Sequence, residues 1–96
     1  MTKYIYIQCF ERDIHIPQIF DTFEQALSAM HKDFIDIIGE DEINCVLENQ
    51  GVDLRNINEC LLLEYDKSNY AFDNDFLAYA NTNNGNWDAR ICTITI

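Results

Sequence analysis

An α+β fold, with two helices packed on one face of a three- to four-stranded antiparallel sheet, is predicted by three features of this 96-residue sequence. Two stretches of β-branched and aromatic residues, "KYIYIQCF" (3–10) and "WDARICTITI" (87–96), alternate with period two, as strands do. Between them, "DTFEQALSAMHKDFIDIIG" (21–39) repeats apolar residues at intervals of three and four, which marks the buried face of a helix. Near the end, Asn84-Gly85 lies between two apolar runs, the pattern of a tight hairpin. The length makes one domain, 1–96.

In chain order, the first strand places Ile5, Ile7 and Cys9 on one face and Tyr4, Tyr6 and Gln8 on the other. "ERDIHIP" then leaves the sheet, Pro17 ends regular structure, and His15 is expected to be a packed loop histidine. Asp21 and Glu24 form a capping-box-like start to the first helix. Its stripe is Phe23, Ala26, Leu27, Met30, Phe34, Ile37 and Ile38, and Gly39 falls just past its end. A second, shorter helix is expected over 40–51, with Ile43, Val46 and Leu47 inward and Gly51 as its stop. The next segment has two readings, helix or strand, and the preferred one is a short turn followed by a strand from about Glu59 to Tyr65. "KSNYAFDND" is expected to be a polar connection anchored by Tyr70 and Phe72, and "FLAYANT" (76–82) a strand. The first strand should pair with the last, since both are long and rich in Ile.

Seventeen acids face six bases, a formal charge of −11. Such a charge disfavours nucleic acid and anionic membranes as direct partners and favours basic proteins or cations. No apolar run is long enough to cross a bilayer, and "MTKYIYIQCF" does not read as a secretory signal, so a cytoplasmic setting is expected. Cys9, Cys45, Cys60 and Cys92 lie among apolar neighbours without a CxxC pair, so they are expected to be reduced and buried.

Signatures of catalysis are missing: there is no GxSxG, no HExxH, no Gly-rich phosphate loop and no paired metal ligands. "DNDF" holds half of a calcium loop without its glycine or closing glutamate. The expectation is a non-enzymatic protein without cofactor or metal. What the sequence offers instead is acid. Glu40, Asp41 and Glu42 suit the dipole at the start of the second helix, whereas Asp33, Asp36 and Glu48 lie late in their helices and gain nothing from it. On a continuing helix Asp33, Asp36 and Glu40 would line one side, rising about 4.5 and 6 Å between successive carboxylates. Glu59, Glu64, Asp66, Asp73 and Asp75 form a second cluster, with Tyr65, Tyr70, Phe72 and Tyr79 close by. Carboxylates beside rings are suited to an Arg-rich groove, where charge speeds encounter and rings hold the complex.

The leading strand, "DTFEQALSAMHKDF", the acidic middle and the terminal "NGNWDARICTITI" together resemble small acidic proteins carried by phages and mobile elements of Firmicutes. Some of those are anti-CRISPR or anti-restriction inhibitors that mimic DNA. The resemblance implies an inhibitor that blocks the nucleic-acid site of a CRISPR effector or other nuclease. The expected partner-binding residues are Asp33, Asp36, Glu40, Asp41, Glu42, Glu48, Glu64, Asp66, Tyr70, Asp73 and Asp75. Two other readings stand beside it: an immunity or antitoxin-type module that neutralises a cationic toxin, and an accessory domain whose charge serves solubility.

Overall fold

Strand β1 (Thr2–Phe10) runs antiparallel to the last strand, β6 (Gly85–Thr95), through nine residue pairs from Thr2 opposite Thr95 to Phe10 opposite Trp87. The expected pairing of the first and last strands is therefore the centre of the sheet. On the far side of β6 lie β5 (Leu77–Thr82) and then β4 (Tyr70–Asp73). On the far side of β1 lie β2 (Asp13–Ile14) and β3 (Gln18–Phe20). Three helices complete the chain: α1 (Phe23–Ile38), α2 (Glu40–Gln50) and α3 (Ile57–Cys60). The computed structural model describes residues 1–50, 52–61, 63, 69–73 and 77–95.

The fold is α+β and antiparallel as predicted, with six strands among the described residues where three or four were expected. The extra pieces come from "ERDIHIP" and its neighbours. Glu11 and Arg12 both take positive φ, 51° and 70°, which is the backbone of a type I′ turn and folds β2 straight back onto β1. The His15 N–H donates to the Gln8 carbonyl, and His15 is exposed, contrary to the expected packed histidine. "YAFD" is strand β4 rather than a connection, with Tyr70 and Phe72 in the core. The expected strand from Glu59 is overturned where the chain is described. Asn56 caps α3 by accepting from the Asn58 N–H, so Glu59 and Cys60 are helical and Leu61 is in a turn.

Helix α1 buries Ala26, Leu27, Met30 and Phe34 against the sheet, four members of its predicted stripe. Its cap is Thr22, one residue later than expected. Thr22 Oγ1 accepts from the Gln25 N–H while Gln25 Oε1 accepts from the Thr22 N–H, the reciprocal pair of a capping box. Asp21 instead pairs with Lys3. Ile43 and Val46 bury the inner side of α2; the Leu47 side chain and Gly51 lie outside the described residues. Phe34 is the hub of the core, with ring centroids 5.3 Å from Phe72, 6.2 Å from Trp87 and 6.3 Å from Tyr70.

The side of the sheet that faces the helices carries most of its buried residues. Tyr6, Trp87, Ala89 and Ile91 are buried there, and Tyr4 and Phe10 pack at the rim. Ile5, Ile7 and Cys9 point the other way. The β5–β6 hairpin turns on Asn83 and Asn84, with Thr82 opposite Gly85, so the turn lies one residue before the Asn-Gly pair. Gly85 is needed there: its φ is 147°, and a Cβ would come within 2.4 Å of Glu11 Cγ. Of the cysteines, only Cys60 is fully buried; Cys9 and Cys92 are half-buried and Cys45 is exposed. That corrects the expectation of four buried thiols. Apolar neighbours in sequence do not bury a residue that a helix turns outward.

Candidate functional site: the acidic corner between two helices

Gly39 makes the corner. It ends α1 at φ 86°, donates its N–H to Ile35 and accepts from Ile43, so its carbonyl opens α2. The acids that follow, Glu40, Asp41 and Glu42, occupy the first turn of α2 and are all exposed. Asp36 projects into solvent from the last turn of α1, and Glu48 does so further along α2. Among the described residues, Asp36, Asp41, Glu42 and Glu48 meet no base. Glu40 does, forming an ion pair with Arg55, which also donates to Asn44 Oδ1 at 3.0 Å.

A cleft of about 380 Å3 opens beside this corner, between the first turn of α2 and the β5–β6 turn. Asp41 and Glu42 line it from the helix, Asn81, Asn83 and Asn84 from the hairpin, and Tyr70 from β4. Burial, and then the charge of Glu42, raise the Tyr70 phenol above its ordinary range, so it stays protonated and able to donate. Ile37, Ile38 and Ala80 supply an apolar part of the lining. Carboxylates and amide oxygens around an apolar wall can accept a guanidinium or ammonium head while the wall covers its aliphatic stem.

Three of the expected contact residues, Asp41, Glu42 and Tyr70, are thus brought together. Others are not. Asp33 faces inward, where its Oδ2 accepts from Tyr6 Oη at 2.8 Å and from Gln8 Nε2 at 3.0 Å. Gln8 is held in that orientation by Trp87, whose indole N–H donates to Gln8 Oε1 at 2.9 Å. The proposed row Asp33–Asp36–Glu40 is broken twice: Asp33 serves this network, and Gly39 interrupts the helix before Glu40. Of the second cluster, Glu59 accepts from the Asp53 N–H at 2.8 Å and fixes the loop before α3. Asp73 is half-buried on β4, and Tyr70 and Phe72 are core residues rather than exposed rings. Glu64, Asp66, Asp75 and Tyr65 lie outside the described residues.

The asparagines of the hairpin were read only as a turn. Their signal is density, four of them between 81 and 86, beside a strand end that returns to the helices. Among the described residues no group of three or more His, Cys, Asp or Glu could hold a metal ion, and no helix is long and apolar enough to cross a membrane. Compared with known proteins, the chain matches no family model, no curated protein and no solved structure.

Proposed function

We propose that the chain is a non-enzymatic inhibitor that docks its acidic corner onto a basic nucleic-acid-binding protein, a CRISPR effector or other nuclease, and occupies the site of its nucleic acid. The observation that carries this reading is the exposure of Asp36, Asp41, Glu42 and Glu48 without a base against any of them among the described residues. A helix start accounts for the positions of Asp41 and Glu42, but Asp36 and Glu48 lie where the dipole disfavours them. The cleft beside them adds a receptor for one Arg or Lys side chain of the partner. Asp33 and Glu59 take no part, being committed to the fold.

The test is competition. A purified CRISPR effector and a restriction nuclease, each bound to labelled duplex, are titrated with the protein at increasing salt. Displacement of the duplex is expected, weakening steeply as salt rises, because charges further apart than about 8 Å are screened at physiological ionic strength. Asp41→Lys with Glu42→Lys should slow association; since first-turn acids contribute about 0.3–1 kcal/mol each, the melting temperature should also fall by several degrees while the fold is kept. Duplex and protein bound together without displacement would exclude mimicry. Unchanged binding in the double reversal would remove the corner from the interface.

A further inference from the structure

Among the described residues no helix covers the outer face of the sheet, and a large part of that face is apolar. Pairs directly opposite one another across an antiparallel ladder share a face. Ile5 opposes both Cys92 and Ile19, Cys9 opposes Ile14, and Ile7 and Leu77 both oppose Arg90. Ile5, Ile7, Cys9, Ile14, Ile19 and Cys92 therefore form one apolar surface across β2, β3, β1 and β6, with Ile94 and Leu77 extending it. Ile14 and Ile19 remain 69% and 65% exposed, well beyond what a covered sheet would leave. Ile7, Cys9, Leu77, Asp88 and Arg90 ring a hollow of about 310 Å3 near its middle.

Charge narrows the choice of occupant. Among the described residues the charged strand residues on this face are Lys3, already paired with Asp21, and Asp73, Asp88 and Arg90, on a chain with 17 acids and 6 bases. At its centre Asp88 and Arg90 offer a second copy one base for each acid rather than the repulsion of an acidic chain. Size agrees. Strands about 4.8 Å apart and nine paired residues long give a flat area of roughly 20 by 30 Å, about 600 Å2, the lower end of the range per partner for a stable interface. We infer that two copies of this chain associate face to face through the outer surface of the sheet, about a two-fold axis that sets Arg90 of each copy against Asp88 of the other. The two sheets then pack as a sandwich about 10 Å apart, and the acidic corners look outward.

The inference is independent of the corner's partner and has its own test. Sedimentation velocity from low-micromolar to near-millimolar concentration should show a species of twice the 11.2 kDa chain mass. Arg90 and Asp88 are exposed, so charge changes there leave the core intact. Arg90→Asp places only acids at the centre and should weaken the dimer roughly tenfold or more, whereas Asp88→Arg combined with Arg90→Asp restores it. Thiol labelling supplies a second reading: Cys9 and Cys92 should react more slowly as concentration rises, while Cys45 on α2 does not change. A monomer at every concentration, with Cys9 and Cys92 equally reactive throughout, overturns the inference and leaves the face to a different molecule. A dimer indifferent to Arg90→Asp also overturns it, by placing the contact elsewhere.

Discussion

Removing the Asp33 carboxylate should destabilise the protein far more than removing its helical neighbour Asp36. Asp33 accepts from Tyr6 Oη and Gln8 Nε2, and Tyr6 is 1% exposed, so its hydroxyl cannot turn to water instead. A hydrogen bond to a charged group contributes about 1.5–3 kcal/mol, and a buried donor left without a partner costs about 1–3 kcal/mol. Gln8 is only half-buried, so its bond counts at the low end. Asp33→Ala should then cost about 3 kcal/mol, or roughly 12–24 °C in melting temperature for a domain of this size. Asp33→Asn keeps an acceptor and should cost about half as much. Tyr6→Phe combined with Asp33→Ala should reveal a coupling of about 1–2 kcal/mol, within the usual range for contacting groups. Asp36→Ala is the control, expected within about 0.5 kcal/mol. Urea unfolding followed by Trp87 fluorescence reads all of these. A loss below 0.5 kcal/mol for Asp33→Ala, or no coupling with Tyr6, would show the network is not holding β1 to α1.

Two other outcomes follow from the core. Phe34→Ala empties the centre of a cluster of three rings and should cost about 3–5 kcal/mol in the same unfolding assay, enough to unfold much of the population. In alkali, burial pushes the Cys60 thiol up to about 12, while in the unfolded chain it titrates near 8.5. Above pH 8.5 the unfolded state therefore releases a proton that the folded state keeps, and stability falls with rising pH by up to about 1.4 kcal/mol per unit until pH 12. Tyr6, raised by burial and by Asp33, adds to the decline above about pH 10, its usual range. Urea midpoints of Cys60→Ala should decline less between pH 9 and 10, and a pH dependence identical to the parent would refute the assignment.

Periodicity made α1 legible because a long helix repeats its stripe often enough to be unmistakable, and alternation with Ile and Thr made β1 and β6 legible. Asp33 was misread although its position carried a signal. It follows Ala26 by seven residues and Met30 by three, and precedes Ile37 by four, so it lies at the edge of the stripe. A carboxylate there needs a donor, and Tyr6 and Gln8 are the polar members of the opposing strand face. That second half could not be read, because the Ile-rich side of β1 gives every local reason to point inward. β2 and β3 were missed for another reason. Their turn uses Glu11 and Arg12 at positive φ, residues that carry no turn preference, and the conformation is held by contacts with distant Asn86. Glu11 donates its N–H to the Asn86 carbonyl, and its side chain accepts from the Asn86 N–H. The acidic corner was legible as composition, but which acids face solvent depended on where Gly39 bends the chain.

The pairing of β1 with β6 governs how the chain can be made. Strand β1 is synthesised before the rest of the sheet, and its main partner, Gly85–Thr95, follows some eighty residues later. At about 5–20 residues per second, β1 spends several seconds or longer with that edge unfilled and both faces of its isoleucines and tyrosines uncovered. The ladders of β2 and β3 draw their partners from residues 2–20, so their pairing can begin in that interval, and the Glu11–Arg12 turn gains its Asn86 contacts only afterwards. They leave one edge of β1 open and blunt the other, so the nascent chain exposes one hydrogen-bonding edge instead of two. The small strands that added nothing visible to the hydrophobic pattern thus act as a temporary guard for the strand on which the whole sheet is later assembled.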